Sequence, residues 1–217
     1  LDFDPDEAEE IAEELRAARD ALAALTLDEL RCIPAGLPPH RGQPGAAADD
    51  RLAMTRLAFA DVPHCIVDDA ETRQHGPSWT IHTLERLRGE LPEGALVLIV
   101  GADAFLGLPT WHRWTELLDF AHIAVANRPG SDLTPDAMSS ELAALWQTHQ
   151  SANPQLLRAQ PAGRIVSFTI APCPVSATGV RQAVRTGQSM AELVCAPVEK
   201  YIQQHHLYQP SPDASLI

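Results

Sequence analysis

The sequence predicts an α/β fold: an open, mostly parallel sheet with helices on both faces. Apolar runs of strand length recur along the chain, segments of helical period separate them, and Gly or Pro stands at many junctions. Sheets of this kind bind ligands beyond the carboxyl ends of their strands, so residues at those ends are the first candidates for function.

Residues 6–25 (DEAEEIAEELRAARDALAAL) are strong helix formers with Ile11, Leu15, Ala18, Leu22 and Leu25 on one apolar stripe. Acids at the start of this segment and Arg16 and Arg19 later suit the helix dipole. ELRCIPAG at 29–36 predicts a short strand entering a Pro/Gly loop, 51–60 a helix, 65–68 a second short strand and 80–90 a further helix. ALVLIVGAD at 95–103 is a continuous apolar run ending in Gly and Asp, the pattern of a buried parallel strand. A helix is expected over 111–118 after Pro109, and AHIAVANRPG at 121–130 reads as another buried strand closed by a Pro-Gly turn. Residues 131–163 read as loop and helix, and RIVSFTI at 164–170 as a strand. A helix over 176–186 opens on a capping serine and stops before Gly187, 198–205 closes the fold, and 209–217 is expected to be a disordered tail. The expectation is one domain over 1–208, its first thirty residues an atypical acidic helical segment.

Composition narrows the function. The 217 residues are 45% apolar and 21% charged, with no apolar run near the ~18 residues needed to span a bilayer. Net charge is −13, which argues against a nucleic-acid binder, because phosphate-backbone affinity comes from clustered Lys and Arg. A locally basic pocket for small anions is compatible with this charge. Residues 1–30 carry eleven acids against Arg16 and Arg19, so nine of the thirteen net charges lie there. An acidic start is unlike a secretory signal or transit peptide, so the cytoplasm is the expected compartment. Cys32, Cys65, Cys173 and Cys195 show no C-x-x-C spacing and read as reduced thiols, mostly buried. His64, His75, His82, His122 and His149 form no metal-ligand pattern and read as structural or surface residues. No G-x-G-x-x-G is present, which removes support for a dehydrogenase.

Ser176 and Thr178 open a predicted helix with Arg181 one turn in, a site for phosphate oxygens or an ordinary helix cap. Trp111 follows a strand end, where an indole can stack on a flat ring or fill core. Asp103 ends a buried strand and suits either ribose hydroxyls and a metal shell or a helix cap. His40 and Arg41, after two prolines, can reach phosphates or lie solvated in a loop; Arg128 can serve a nucleotide or only its turn.

Four segments in this order resemble the bacterial nicotinate-mononucleotide adenylyltransferase family: IPAGLPPHR at 33–41, GPSWTIHTL at 76–84, GADAFLGLPTWHRW at 101–114 and VSATGVR at 175–181. RLAM at 51–54, RPG at 128–130 and YIQQHHLY at 201–208 add to it, so the resemblance covers roughly residues 30–208. It implies a Rossmann-like nucleotidyltransferase fold and the reaction of ATP with nicotinate mononucleotide to give deamido-NAD and pyrophosphate, with Mg²⁺. It also implies that Trp111 stacks on the nicotinate, that backbone near His112 and the Thr80 hydroxyl meet its carboxylate, and that Asp103 and Arg128 serve the nucleotide. The ATP phosphates would meet His40, Arg41, Ser176, Thr178 and Arg181. Position 79, commonly Tyr in the family, is Trp79 here. A homo-oligomer is compatible with the sequence.

The first residues depart from that pattern. Members begin with a strand running into G-G-T-F-D-P-x-H-x-G-H, whose glycines admit phosphate and whose histidines stabilise charge on the transferring group. Here only Phe3, Asp4 and Pro5 match, and Glu7, Glu9 and Glu10 stand where His, Gly and His are expected. Two unit charges about 4 Å apart interact by about 4 kcal/mol at an effective dielectric near 20, so carboxylates there would repel the triphosphate. Leu1 and Asp2 are too few for a strand before Phe3, so the first strand is expected to be missing or replaced. Two outcomes follow: an adenylyltransferase with impaired turnover, or an inactive binder of the same nucleotide. An acidic helix that docks a protein partner is a third reading of residues 6–25.

Overall fold

The computed structural model describes residues 8–37, 46–74, 76–128, 133–171, 188–190 and 193–208, with the side chains of 8–14 and 16 left aside. The first-strand expectation, the helix at 176–186, the Pro129-Gly130 turn, His75, Cys173 and the tail lie outside these residues. Contacts sort the chain into two compact units, one including Arg19–Asp28 and Pro77–Pro172, the other including Glu29–Gly76 and the carboxyl-terminal helix. Helix α1, Ala8–Ala24, buries Ala17, Ala18 and Ala21, of which only Ala18 belongs to the stripe read in the sequence; Leu15 and Leu22 of that stripe are half-buried.

The unit containing Glu29–Gly76 pairs strand β1, Leu30–Cys32, with β2, Cys65–Val67, in parallel, Leu30 opposite Cys65 and Cys32 opposite Val67. Helix α2, Ala48–Phe59, buries Leu52, Met54, Ala58 and Phe59. The final helix of the chain, Ala196–Gln204, packs on α2 through Val198 and Ile202. Its Tyr201 hydroxyl donates to Asp50 at 2.9 Å, and burial followed by this acid raises the phenol above its ordinary range. Arg51 is fully buried at the start of α2, where its guanidinium donates to the carbonyls of Ala35 and Gly36, 2.8 Å for the latter. The R-L-A-M segment thus holds the I-P-A-G segment at Ala35 and Gly36. Cys32, Cys65 and Cys195 are free thiols, the first buried and the other two half-buried.

The unit containing Pro77–Pro172 holds a three-stranded parallel sheet in the order β3, β4, β5: Val97–Gly101, His122–Asn127 and Ile165–Thr169. β4 lies in the middle and is buried from His122 through Ala126, which is why it reads as one continuous apolar run. Helix α3, Thr80–Glu90, turns Ile81, Leu84 and Leu87 inward at spacings of three. Ile81 and Leu84 join Leu98, Val100, Phe105 and Ile123 in a core whose large side chains each contribute about 1.5–3 kcal/mol on burial. Further on come α4, Ala102–Leu106, α5, Leu117–Phe120, and α6, Ser140–His149, which the Ser139 side chain caps by accepting from Leu142 N–H at 3.2 Å. Numbered in the same series, the final helix is α7.

One expected element is altered. The helix expected over 111–118 is broken into a 3₁₀ turn, Trp114–Glu116, and α5, because Trp111 is extended (φ −78°, ψ 149°) and Arg113 is left-handed (φ 53°, ψ 38°). A left-handed residue cannot sit inside a right-handed helix.

The amino-terminal edge of the three-stranded sheet is tied by two side chains. Arg88, late in α3, donates to Leu91 O (2.8 Å) and Gly94 O (2.7 Å) before β3, to Phe120 O (2.6 Å) before β4, and to Pro161 O (2.8 Å) before β5. His122 is fully buried; its Nδ1 accepts from Arg164 N–H at 3.0 Å, so the ring proton sits on Nε2 and donates to Gln160 O at 2.9 Å. Burial pushes this imidazole below its ordinary range, against the carbonyl of Gln160, and the Arg88 and Arg164 charges lower it further.

Arg88→Met keeps much of the packing but leaves clustered carbonyls without donors, and is expected to lower the unfolding free energy in urea by about 2 kcal/mol or more. His122 gives a pH signature: with its folded pKa below 6.5, the unfolded chain binds more protons between that lowered value and 6.5. Its contribution is therefore complete above 6.5 and is lost as pH falls through the window. Denaturation curves of His122→Gln should show a shallower loss of stability on acidification than the parent; an equal slope would show that His122 is not the titrating group.

Candidate functional site

Two of the functional candidates, Asp103 and Arg128, lie at the opposite, carboxyl-terminal edge of the same sheet. Gly101 ends β3 opposite Ala126 of β4, so Asp103, two residues on, and Arg128, just past Asn127, leave neighbouring parallel strands at one edge. Asp103 lies in the first turn of α4 with its side chain exposed; no side chain caps that helix. Its carboxylate suits the positive end of a helix, yet it also remains accessible to a ligand. Arg128 is likewise exposed. At the end of β4 the side-chain oxygen of Asn127 is buried, with no hydrogen-bond partner among the described residues.

Beyond α4 the chain turns back on itself. Gly107 N–H donates to Asp103 O at 3.0 Å, Leu108–Thr110 form a 3₁₀ turn, and Trp111 N–H donates to Leu108 O at 2.9 Å. Trp111 is half-buried, one side against the core, which leaves part of the indole available. His112 then swings out, exposed, and its ring meets that of Trp79 with centroids 4.7 Å apart and planes tilted by 38°. His82 approaches the same imidazole edge-on at 6.0 Å. Trp79 stands immediately before Thr80, the first residue of α3, in extended conformation (φ −102°, ψ 125°) and with no side-chain cap on that helix end. The start of α3 and the turn at His112 are therefore joined by one aromatic contact, with Thr80 next in sequence to one of its rings.

Arg113 holds this arrangement from behind. Its guanidinium donates to Glu85 of α3 at 2.8 Å and to both oxygens of Glu116 at 2.9 and 2.5 Å. The hydrogen bonds to Glu116 and then Glu85 raise the Arg113 pKa, and the Arg113 hydrogen bond holds the Glu116 carboxyl below its ordinary range.

Thr80, Asp103, Trp111, His112 and Arg128 are thus all on described elements, with Thr80, Trp111 and His112 in one neighbourhood and Asp103 and Arg128 at adjacent strand ends. His40, Arg41, Ser176, Thr178, Arg181, Glu7 and the side chain of Glu10 lie outside what is described. Trp79, His82, Glu85, Arg113 and Glu116 complete the neighbourhood. A signal for three of them was present: positions 79, 82 and 85 recur every three residues, one face of the helix entry. Among the described residues no cluster of three His, Cys, Asp or Glu side chains could hold a metal ion by itself. No helix of the described residues is long and apolar enough to cross a membrane.

Residues 14–183 match the family model described as cytidylyltransferase-like. A protein of Dechloromonas aromatica named "Probable nicotinate-nucleotide adenylyltransferase" is 45% identical over 198 residues, 91% of each chain. One of the same name from Pseudomonas syringae pv. tomato is 46% identical over 93% of this chain and 90% of its own. Among solved structures, Plasmodium falciparum nicotinic acid mononucleotide adenylyltransferase complexed with NaAD superposes with a TM-score of 0.63 at 10% identity, covering 91% of this chain and 90% of that one. At that identity the likeness is one of fold, the Rossmann-like nucleotidyltransferase fold.

Proposed function

The chain belongs to the cytidylyltransferase-like family and, within it, to the nicotinate-nucleotide adenylyltransferases, and we propose that it transfers the adenylyl group of ATP to nicotinate mononucleotide in NAD biosynthesis. The observation that carries this reading is the 4.7 Å Trp79–His112 ring contact, which joins the residue before Thr80 to the residue after the half-buried Trp111. Thr80, Trp111 and His112 are the residues that the family resemblance assigns to the nicotinate ring and its carboxylate.

In the reaction a 5′-phosphate oxygen of the mononucleotide attacks the α-phosphorus of ATP. The bond from that phosphorus to the bridging oxygen breaks, and pyrophosphate leaves with the electron pair. The protein's task is positioning and charge stabilisation rather than covalent chemistry. Trp111 offers the indole face on which the pyridine ring lies, while the Thr80 hydroxyl and the backbone at His112 take its carboxylate. Asp103 accepts from ribose hydroxyls, and Arg128 supplies positive charge for the nucleotide. For the triphosphate we assign His40 and Arg41, together with Ser176, Thr178 and Arg181. Mg²⁺ would accompany ATP and neutralise charge on its phosphates. Such an ion would be held mainly by phosphate oxygens, with Asp103 as the candidate protein carboxylate. On this reading residues 1–208 act as one nucleotidyltransferase domain.

A second reading concerns rate. Glu7, Glu9 and Glu10 stand where the family's His, Gly and His are expected, and the carboxylates replace charge stabilisation by repulsion. We propose low turnover with the nicotinate pocket retained.

Both readings are tested by pyrophosphate release with ATP, nicotinate mononucleotide and Mg²⁺, in parallel with mononucleotide binding. The expected result is saturable binding, weakened by Trp111→Ala, with slow release that a Glu7→His, Glu9→Gly, Glu10→His variant raises by tenfold or more, on the order of one lost stabilising contact. Rapid release by the parent chain would overturn the rate reading, and no binding of either substrate would overturn the assignment itself.

A further inference from the structure

We propose that Arg113 is a positioning residue for nicotinate mononucleotide: its fork locks the Trp111–His112 turn against α3 and thereby sets the mononucleotide pocket without touching the ligand. The inference rests on the adenylyltransferase reading and adds a residue to it. Arg113 takes φ 53°, ψ 38°, a conformation rare for a residue with a side chain, so local geometry alone does not explain its presence. Glycine would adopt that backbone without strain. What arginine adds is the two-sided grip on Glu85 and Glu116.

The grip has a direction. Trp79, His82 and Glu85 follow one another at intervals of three along the entry and first turns of α3, and the turn meets them with consecutive residues: His112 against Trp79 and His82, Arg113 against Glu85. Two adjacent turn residues are thus registered on one helical face. Because Arg113 also binds Glu116, three residues on, it closes the turn before α5 begins. Trp111 directly precedes this registered pair, so the orientation of its indole is inherited from it. The three ionic side chains are 34%, 36% and 42% exposed. Ion pairs this open to water contribute little to global stability, so their value lies in geometry. A planar fork serves two carboxylates at once in a way that a single ammonium does not.

The test is titration of tryptophan fluorescence with nicotinate mononucleotide, with ATP affinity and the thermal midpoint measured alongside. Arg113→Gly relieves the backbone and removes the grip. It is expected to weaken mononucleotide binding on the order of tenfold, the effect of a small misplacement, while ATP affinity and the midpoint stay near those of the parent. Arg113→Lys should fall between the two. If Arg113→Gly fails to fold, Glu85→Gln combined with Glu116→Gln removes the same grip and should reproduce the selective loss. Unchanged mononucleotide affinity in the variants, or an equal loss for ATP, overturns the inference. A parent chain that does not bind the mononucleotide at all overturns instead the reading on which it rests.

Discussion

The Arg88 guanidinium is the constraint on which the site-bearing unit is built. From one place in α3 it donates to carbonyls that precede each of the three parallel strands, at Gly94, Phe120 and Pro161. A parallel sheet needs long crossovers, and their returns to the amino-terminal edge bring backbone carbonyls together there. One planar cation with five N–H donors satisfies several of them and fixes how α3 meets the sheet. His122 adds a second tie through its two ring nitrogens.

With the amino-terminal edge tied, the carboxyl-terminal edge is left to chemistry. Asp103 and Arg128 leave adjacent strands there with exposed side chains, and the turn through Trp111 and His112 is laid on the first residues of α3. The two ends of α3 therefore divide the work. Its last turns hold the sheet through Arg88, and its entry and first turn meet the His112 ring through Trp79 and His82. The helix transmits the fixed geometry of one edge to the other, which is how a positioning site keeps its shape without a dense polar network.

Much of this was legible in the sequence, for reasons that differ by element. β4 could be read because a central parallel strand buries both faces and so shows an unbroken apolar run, and α3 because Ile81, Leu84 and Leu87 keep helical spacing. The break at 111–116 was not legible: the segment has helical composition, and only the ion pairs of Arg113 with Glu85 and Glu116 explain a left-handed arginine. Arg88 was invisible for a similar reason, since its acceptors are backbone atoms that no residue type announces. His122 was read with the other histidines as structural or surface, and its buried, doubly bonded ring makes it structural. Of the site, Thr80, Asp103, Trp111, His112 and Arg128 were named from the sequence, whereas the ion pairs that join Arg113 to Glu85 and Glu116 need coordinates.

The central claim is that the turn carrying Trp111 and the start of α3 form a seat for the pyridine ring of nicotinate mononucleotide. A crystal structure of the chain with that mononucleotide tests it most directly. The account predicts the pyridine ring stacked on the Trp111 indole, its carboxylate directed at Thr80 and the His112 backbone, and its phosphate beyond the carboxyl ends of β3 and β4. A mononucleotide bound elsewhere, with Trp111 still packed against the core and no ring upon it, would contradict the account.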